Sequence, residues 1–177
     1  KINSKNGNVQ WSLNALQSTL KHATDFFKSS EVVLNNNNIF FSTQSSTFSF
    51  NLDNGFINWE QKVSSISAPI INGENIFLVT ENGYFVILDT SNGKIISSTN
   101  ILKILKKKKR LTNISGFIMG SGKIYAVTTN GYLIICSATS GKAETYKKVG
   151  DKIYSNPIIS DGKLFIYTDK SKIFGFN

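Results

Sequence analysis

Four segments of the chain carry the same turn in the same phase, and this repetition constrains the fold more than any single residue does. They are Asn3 to Trp11 (NSKNGNVQW), Asn51 to Trp59 (NLDNGFINW), Asp89 to Ser97 (DTSNGKIIS) and Ser137 to Thr145 (SATSGKAET). Gly7, Gly55, Gly93 and Gly141 stand in register, at spacings of 48, 38 and 48 residues, and Phe176-Asn177 falls in phase with the start of a fifth copy.

A second unit recurs between these anchors. Ala68 to Ile71, Ile76 to Thr80 and Tyr84 to Asp89 match Gly116 to Met119, Ile124 to Thr128 and Tyr132 to Ser137. Asn156 to Ile159, Leu164 to Thr168 and Lys172 to Asn177 repeat the order, and Val32 to Leu34, Ile39 to Thr43 and Thr47 to Asn51 form a more diverged copy. The runs are short and rich in Ile, Val, Phe, Tyr and Thr. Asn-Gly, Asp-Gly and Ser-Gly pairs separate them, as hairpin turns with positive φ require. Each unit therefore reads as a four-stranded antiparallel meander. A meander of this length has no helix to cover its faces, so neighbouring copies must stack face to face around an axis. The expected class is all-β, a β-propeller of about four blades, with blade equivalents near residues 30–61, 67–99, 115–147 and 155–177. A single sandwich would not return the same turn residues at the same phase four times.

The chain opens at the end of a third strand and closes after the third strand of a further blade. A strand at residues 8–12 can complete that last blade by pairing with residues 172–177, closing a small ring. The preferred expectation is instead a fragment, without an initiator Met, of a seven- or eight-bladed propeller, in which open blade edges offer a route to a homodimer.

The turn pattern resembles the tryptophan-docking repeat of the PQQ-like propellers. Asn3, Gly7 and Trp11, then Asn51, Gly55 and Trp59, match its Asp, Gly and Trp positions, with Asn for Asp. Asp89 and Gly93 match in the third copy, where Ser97 replaces Trp, and Gly141 alone remains in the fourth. Asn or Asp caps the turn, Gly supplies positive φ, and Trp packs on the neighbouring blade. Two families share this repeat, the quinoprotein dehydrogenases and the BamB proteins of outer-membrane β-barrel assembly. Asn58 to Val63, Ser67 to Ile71 and Asp89 to Lys94 are similar to BamB-type wording. That resemblance implies a non-catalytic scaffold, periplasmic and associated with the outer membrane, with protein partners and no cofactor. The alternatives are a piece of a quinoprotein dehydrogenase or a propeller binding module of other specificity. A dehydrogenase of this kind carries adjacent cysteines, and Cys136 is the chain's single cysteine.

Composition narrows the chemistry further. One Cys and one His exclude multi-thiolate and multi-His metal centres built within the chain. No apolar run approaches the roughly 20 residues of a membrane-spanning helix. The net charge of +9 is local: Lys103, Lys106, Lys107, Lys108, Lys109 and Arg110 supply six charges, and without them the chain stands at +3. The run has no interleaved aromatic residue, which argues against nucleic acid. It falls in an inter-blade loop and is a candidate contact for an anionic membrane or an acidic partner. A second inter-blade insertion, Leu13 to Lys28, places Leu13, Leu16, Leu20, Ala23 and Phe27 at helical steps. Leu16, Leu20 and Phe27 are candidate partner contacts. His22 lies in the same insertion, without a catalytic neighbour, and Cys136 reads as an inert core residue. The aspartates Asp25, Asp53, Asp89, Asp151, Asp161 and Asp169 fall mostly at turns, where capping explains them.

Overall fold

The computed structural model of the chain describes residues 1–12, 29–65, 67–106 and 111–177. Fifteen strands form among them, in four antiparallel sheets that follow the repeat. The first sheet is β1 (Val33–Asn35), β2 (Asn38–Ser42), β3 (Thr47–Asn51) and β4 (Ile57–Gln61). The second is β5 (Ile70–Asn72), β6 (Asn75–Val79), β7 (Tyr84–Asp89) and β8 (Ile95–Asn100). The third is β9 (Ile114–Gly120), β10 (Lys123–Thr128), β11 (Tyr132–Ser137) and β12 (Ala143–Lys148). The fourth holds β13 (Ile158–Ser160), β14 (Lys163–Tyr167) and β15 (Ile173–Phe176). Strand order within every sheet is sequence order, the meander of a propeller blade.

The turn before each outer strand is built the same way each time. The Gly amide donates to the carbonyl four residues back in all four copies, Gly7 to Asn3, Gly55 to Asn51, Gly93 to Asp89 and Gly141 to Ser137, and each Gly has φ between 69° and 75°. The leading side chain closes the turn: Asn51 Oδ1 accepts from the amides of Asp53 and Asn54, and Asp89 Oδ1 from Ser91. That bond to Ser91, from hydroxyl and amide, holds the Asp89 carboxyl below its usual range. At the opposite end a threonine recurs where the second strand ends. Thr80 Oγ1 accepts from the Tyr84 amide and Thr128 Oγ1 from the Tyr132 amide, each at 2.9 Å, bridging the turn between the second and third strands.

Period-two alternation gives the middle strands of the first three sheets two buried faces, and these faces make the seams between sheets. Phe40 and Trp59 of the first sheet pack on Ile76, Leu78, Val86 and Leu88 of the second. The other face of the second sheet, Phe77, Val79, Phe85 and Ile87, packs on Phe117, Ile124, Ala126, Ile134 and Cys136 of the third. Val127 and Leu133 of the third pack on Leu164 and Ile166 of the fourth. At the rim, indoles clamp the seams. A Cβ at Gly55 would lie 2.6 Å from the Trp11 ring, and one at Gly93 would lie 2.5 Å from the Trp59 ring. Each indole N–H donates at 3.0 Å to the carbonyl just beyond the capping residue, Trp11 to Leu52 and Trp59 to Thr90. Trp therefore docks on the next sheet as the motif predicts.

The segments leading into the inner strands meet as well. Ser67 Oγ donates to Asn156 Oδ1 at 2.9 Å, joining the second and fourth sheets. Gly116 lets this happen, because a Cβ there would lie 2.3 Å from the same oxygen. At the amino-terminal end, Val9 bridges Ile2, and among the described residues β15 pairs with β14 alone.

Candidate functional site

Antiparallel order sorts the loops onto two ends of the molecule. One end holds the turns between first and second strands and the Gly turns before the outer strands. The other holds the turns between second and third strands, together with the segments that link one sheet to the next. Backbone bonds tie that second set together: the Ile101 amide donates to Gly83, Ile114 to Glu81, Val149 to Gly131 and Asp169 to Lys152, all at 2.8–2.9 Å. This linker end is the surface where both inter-blade insertions of the sequence were expected.

The basic segment is anchored at its start. A 3-10 turn at Ile101–Ile104, capped by Asn100 accepting from the Leu102 amide, drives Ile101, Leu102 and Leu105 into the seam between the second and third sheets. A Cβ at Gly83 would lie 2.4 Å from the Leu102 side chain, so the hairpin needs its glycine to receive this plug. Lys103 and Lys106 stay exposed. Lys107, Lys108, Lys109 and Arg110 lie outside the described residues, as do Leu13 to Lys28 with Leu16, Leu20, Phe27 and His22. The helix expected over that insertion falls there too.

Further lysines gather at the linker end that sequence order had scattered. Lys170 pairs with Asp151 at 2.9 Å. That hydrogen bond, then the charges of Lys170, Lys172 and Lys148, hold the Asp151 carboxyl below its usual range, and the same bond, then the charges of Asp151 and Asp169, raise Lys170. Lys148 donates to the Asn130 carbonyl and sits 4.8 Å from the centre of the Tyr132 ring. Lys152 is exposed beside them, and two apolar side chains project from the linkers, Leu111 at 89 % and Tyr154 at 64 % exposure. Reading the run at 106–110 alone missed Lys148, Lys152, Lys170 and Lys172. Their common signal was their phase, since Lys148 ends an outer strand, Lys152 follows it, and Lys170 and Lys172 lie in a turn between second and third strands.

The remaining candidates are structural. Cys136 is buried in the seam between the second and third sheets, and burial pushes its thiol up to about 12. A cavity of about 450 Å³ opens between the third and fourth sheets, lined by Tyr125, Ile135, Ile159, Leu164 and Phe176, with Lys147 5.1 Å from the Phe176 ring centre. Thr145, at the Trp position of the fourth repeat, borders it. Among the described residues no group of His, Cys, Asp and Glu could hold a metal ion, and no helix is long and apolar enough to cross a membrane.

The motif geometry leads to the family. The model of the family described as outer membrane protein assembly factor BamB matches residues 1–99, the span that holds both docked indoles. The chain belongs to the BamB family. Solved structures agree on the fold. BamB from Moraxella catarrhalis superposes with a TM-score of 0.53 at 13% identity, over 85% of this chain and 61% of that one. The chain thus spans about three fifths of that BamB. The computationally designed Ika4 protein gives 0.67 at 5% identity, over 89% and 94% of the two chains. The β-propeller domain of Cps50 (Swd1) from Myceliophteria thermophila gives 0.67 at 13% identity, over 85% and 51%. At such identities the likeness shows the propeller fold alone. No curated protein matches the chain.

Proposed function

We propose that this chain is a non-catalytic propeller scaffold that works in the assembly of outer-membrane proteins, in the periplasm at the outer membrane. The observation that carries this reading is the BamB family match over residues 1–99, which coincides with the tryptophan-docked part of the propeller. Function here is presentation. Docked indoles and closed Gly turns hold the sheets rigidly, and the linker end displays loops that sheet packing does not consume. The partner is a protein of the assembly machinery, held through those loops.

Two measurements on the source cell test this. Fractionation places the protein in the periplasm with the outer membrane, and its depletion lowers the abundance of outer-membrane β-barrel proteins in quantitative mass spectrometry. Recovery with cytosolic markers, or unchanged β-barrel levels after depletion, removes the reading.

A further inference from the structure

The two ends of the propeller differ in their balance of charge. At the Gly-turn end cations and acids alternate, and Lys1 with Asp53 and Lys123 with Glu144 form ion pairs. At the linker end of the third and fourth sheets, Lys103, Lys106, Lys148, Lys152, Lys170 and Lys172 are all exposed. Glu81, Asp151 and Asp169 are the acids set among them, and Lys170 already engages Asp151. Among the described residues the excess of positive charge therefore lies at this end.

Apolar side chains project from that same end. Leu111 is 89 % exposed and Tyr154 64 % exposed, each on a linker and outside the packed seams. A leucine that covers nothing at the margin of a lysine cluster gives no advantage against a purely polar polyanion. It does so against a bilayer, where lysines meet anionic headgroups while a Leu and the ring of a Tyr enter the interface. The 3-10 plug anchors the chain up to Leu105 in the seam between the second and third sheets.

We propose that the linker end of the third and fourth sheets is a docking face for an anionic phospholipid surface, with Lys103, Lys106, Lys148, Lys152 and Lys172 on headgroup phosphates and Leu111 and Tyr154 in the interface. This goes beyond the scaffold reading and does not depend on it. It aligns the propeller axis with the membrane normal and turns the Gly-turn end away from the bilayer.

Co-sedimentation with vesicles tests the proposal, using phosphatidylcholine alone and phosphatidylcholine containing phosphatidylglycerol, at low and high salt. The chain binds the anionic vesicles, not the neutral ones, and salt weakens binding. The double variant Lys152→Glu/Lys172→Glu binds at least about 25-fold more weakly, roughly fivefold for each lysine lost. Leu111→Ser costs roughly tenfold. The pair Lys94→Glu/Lys142→Glu makes the same charge change at the Gly-turn end and leaves binding as it was. All these residues are exposed, and unchanged melting temperatures confirm that the variants are folded. Equal binding to neutral vesicles, equal loss in the Lys94/Lys142 pair, or binding to heparin without binding to anionic vesicles overturns the proposal. The vesicles carry no protein, so such a failure leaves the scaffold reading standing.

Discussion

The seam between the first and second sheets and the seam between the second and third solve one problem in two ways. In the first, an indole clamps the rim beside Phe40, Ile76, Leu78, Val86 and Leu88: Trp59 lies on Gly93, donates to the Thr90 carbonyl and touches Phe40 with ring centres 6.0 Å apart. In the second, Ser97 stands where the indole would be, and Gly141 faces its hydroxyl. That seam is filled from the linker end, where Ile101, Leu102 and Leu105 enter beside Ile114, Tyr132 and Tyr146. The repeat tolerates loss of its signature residue because burial is not tied to one position. What the seam needs is apolar volume, and a linker can bring it as well as a strand can.

The largest way to break the comparison is Trp59→Ala. It removes a buried ring and its hydrogen bond, and the expected loss is about 3–5 kcal/mol in urea or thermal unfolding. Leu105→Ala comes next, at about 2–5 kcal/mol, because Leu105 is 1 % exposed within the plug. Cys136 separates the two effects. Its thiol lies in the plugged seam and is held far from ionisation, so it stays inert to a disulfide reagent at neutral pH until that seam opens. Leu105→Ala speeds labelling under native conditions by more than Trp59→Ala does. Equal acceleration by both variants means that the seams open together and that the distinction drawn between them is wrong.

Glycine positions sharpen the same contrast with a smaller effect. Gly93 has φ of 70° and lies under the Trp59 ring, while Gly7 has φ of 73° and nothing within 4 Å of a added Cβ. Gly7→Ala therefore carries the cost of the left-handed backbone alone, about 1–2 kcal/mol. Gly93→Ala adds the displacement of an indole, roughly another 1–3 kcal/mol. Matching values for the two, measured by thermal unfolding, would show that the docked ring moves aside freely.

What the sequence revealed follows the same division. Strand order and sheet number were legible because the Gly turns impose a fixed phase, and the docking of Trp11 and Trp59 was legible because indoles in a fixed frame have one place to go. The plug was not legible. Ile101, Leu102 and Leu105 have a counterpart in Val149 and Ile153 of the next linker, but at a different spacing, and nothing in either spacing distinguishes a loop that fills a seam from one that stands in solvent. Of the described lysines at the linker end, the run in the sequence pointed only to Lys103 and Lys106. Lys148, Lys152, Lys170 and Lys172 come together through the antiparallel path of the strands, which a charge count along the chain does not follow.

The segments leading into the inner strands add a third kind of joint, and the smallest expected effect. Asn156 reaches across Gly116 to Ser67, residues 89 apart in sequence, so one amide links sheets that are not neighbours. Asn156 is exposed, and water replaces part of what its removal takes away, so Asn156→Ala costs about 0.5–1.5 kcal/mol. Asn156→Asp keeps an oxygen for the Ser67 hydroxyl and costs less. The decisive quantity is the coupling in a double-mutant cycle with Ser67→Ala. If the bond carries weight between the second and fourth sheets, the two losses are not additive, by about 0.5 kcal/mol or more. Additive losses assign the cohesion of the propeller to its apolar seams alone, the indole clamp and the linker plug, and leave the inner contact as a consequence of packing.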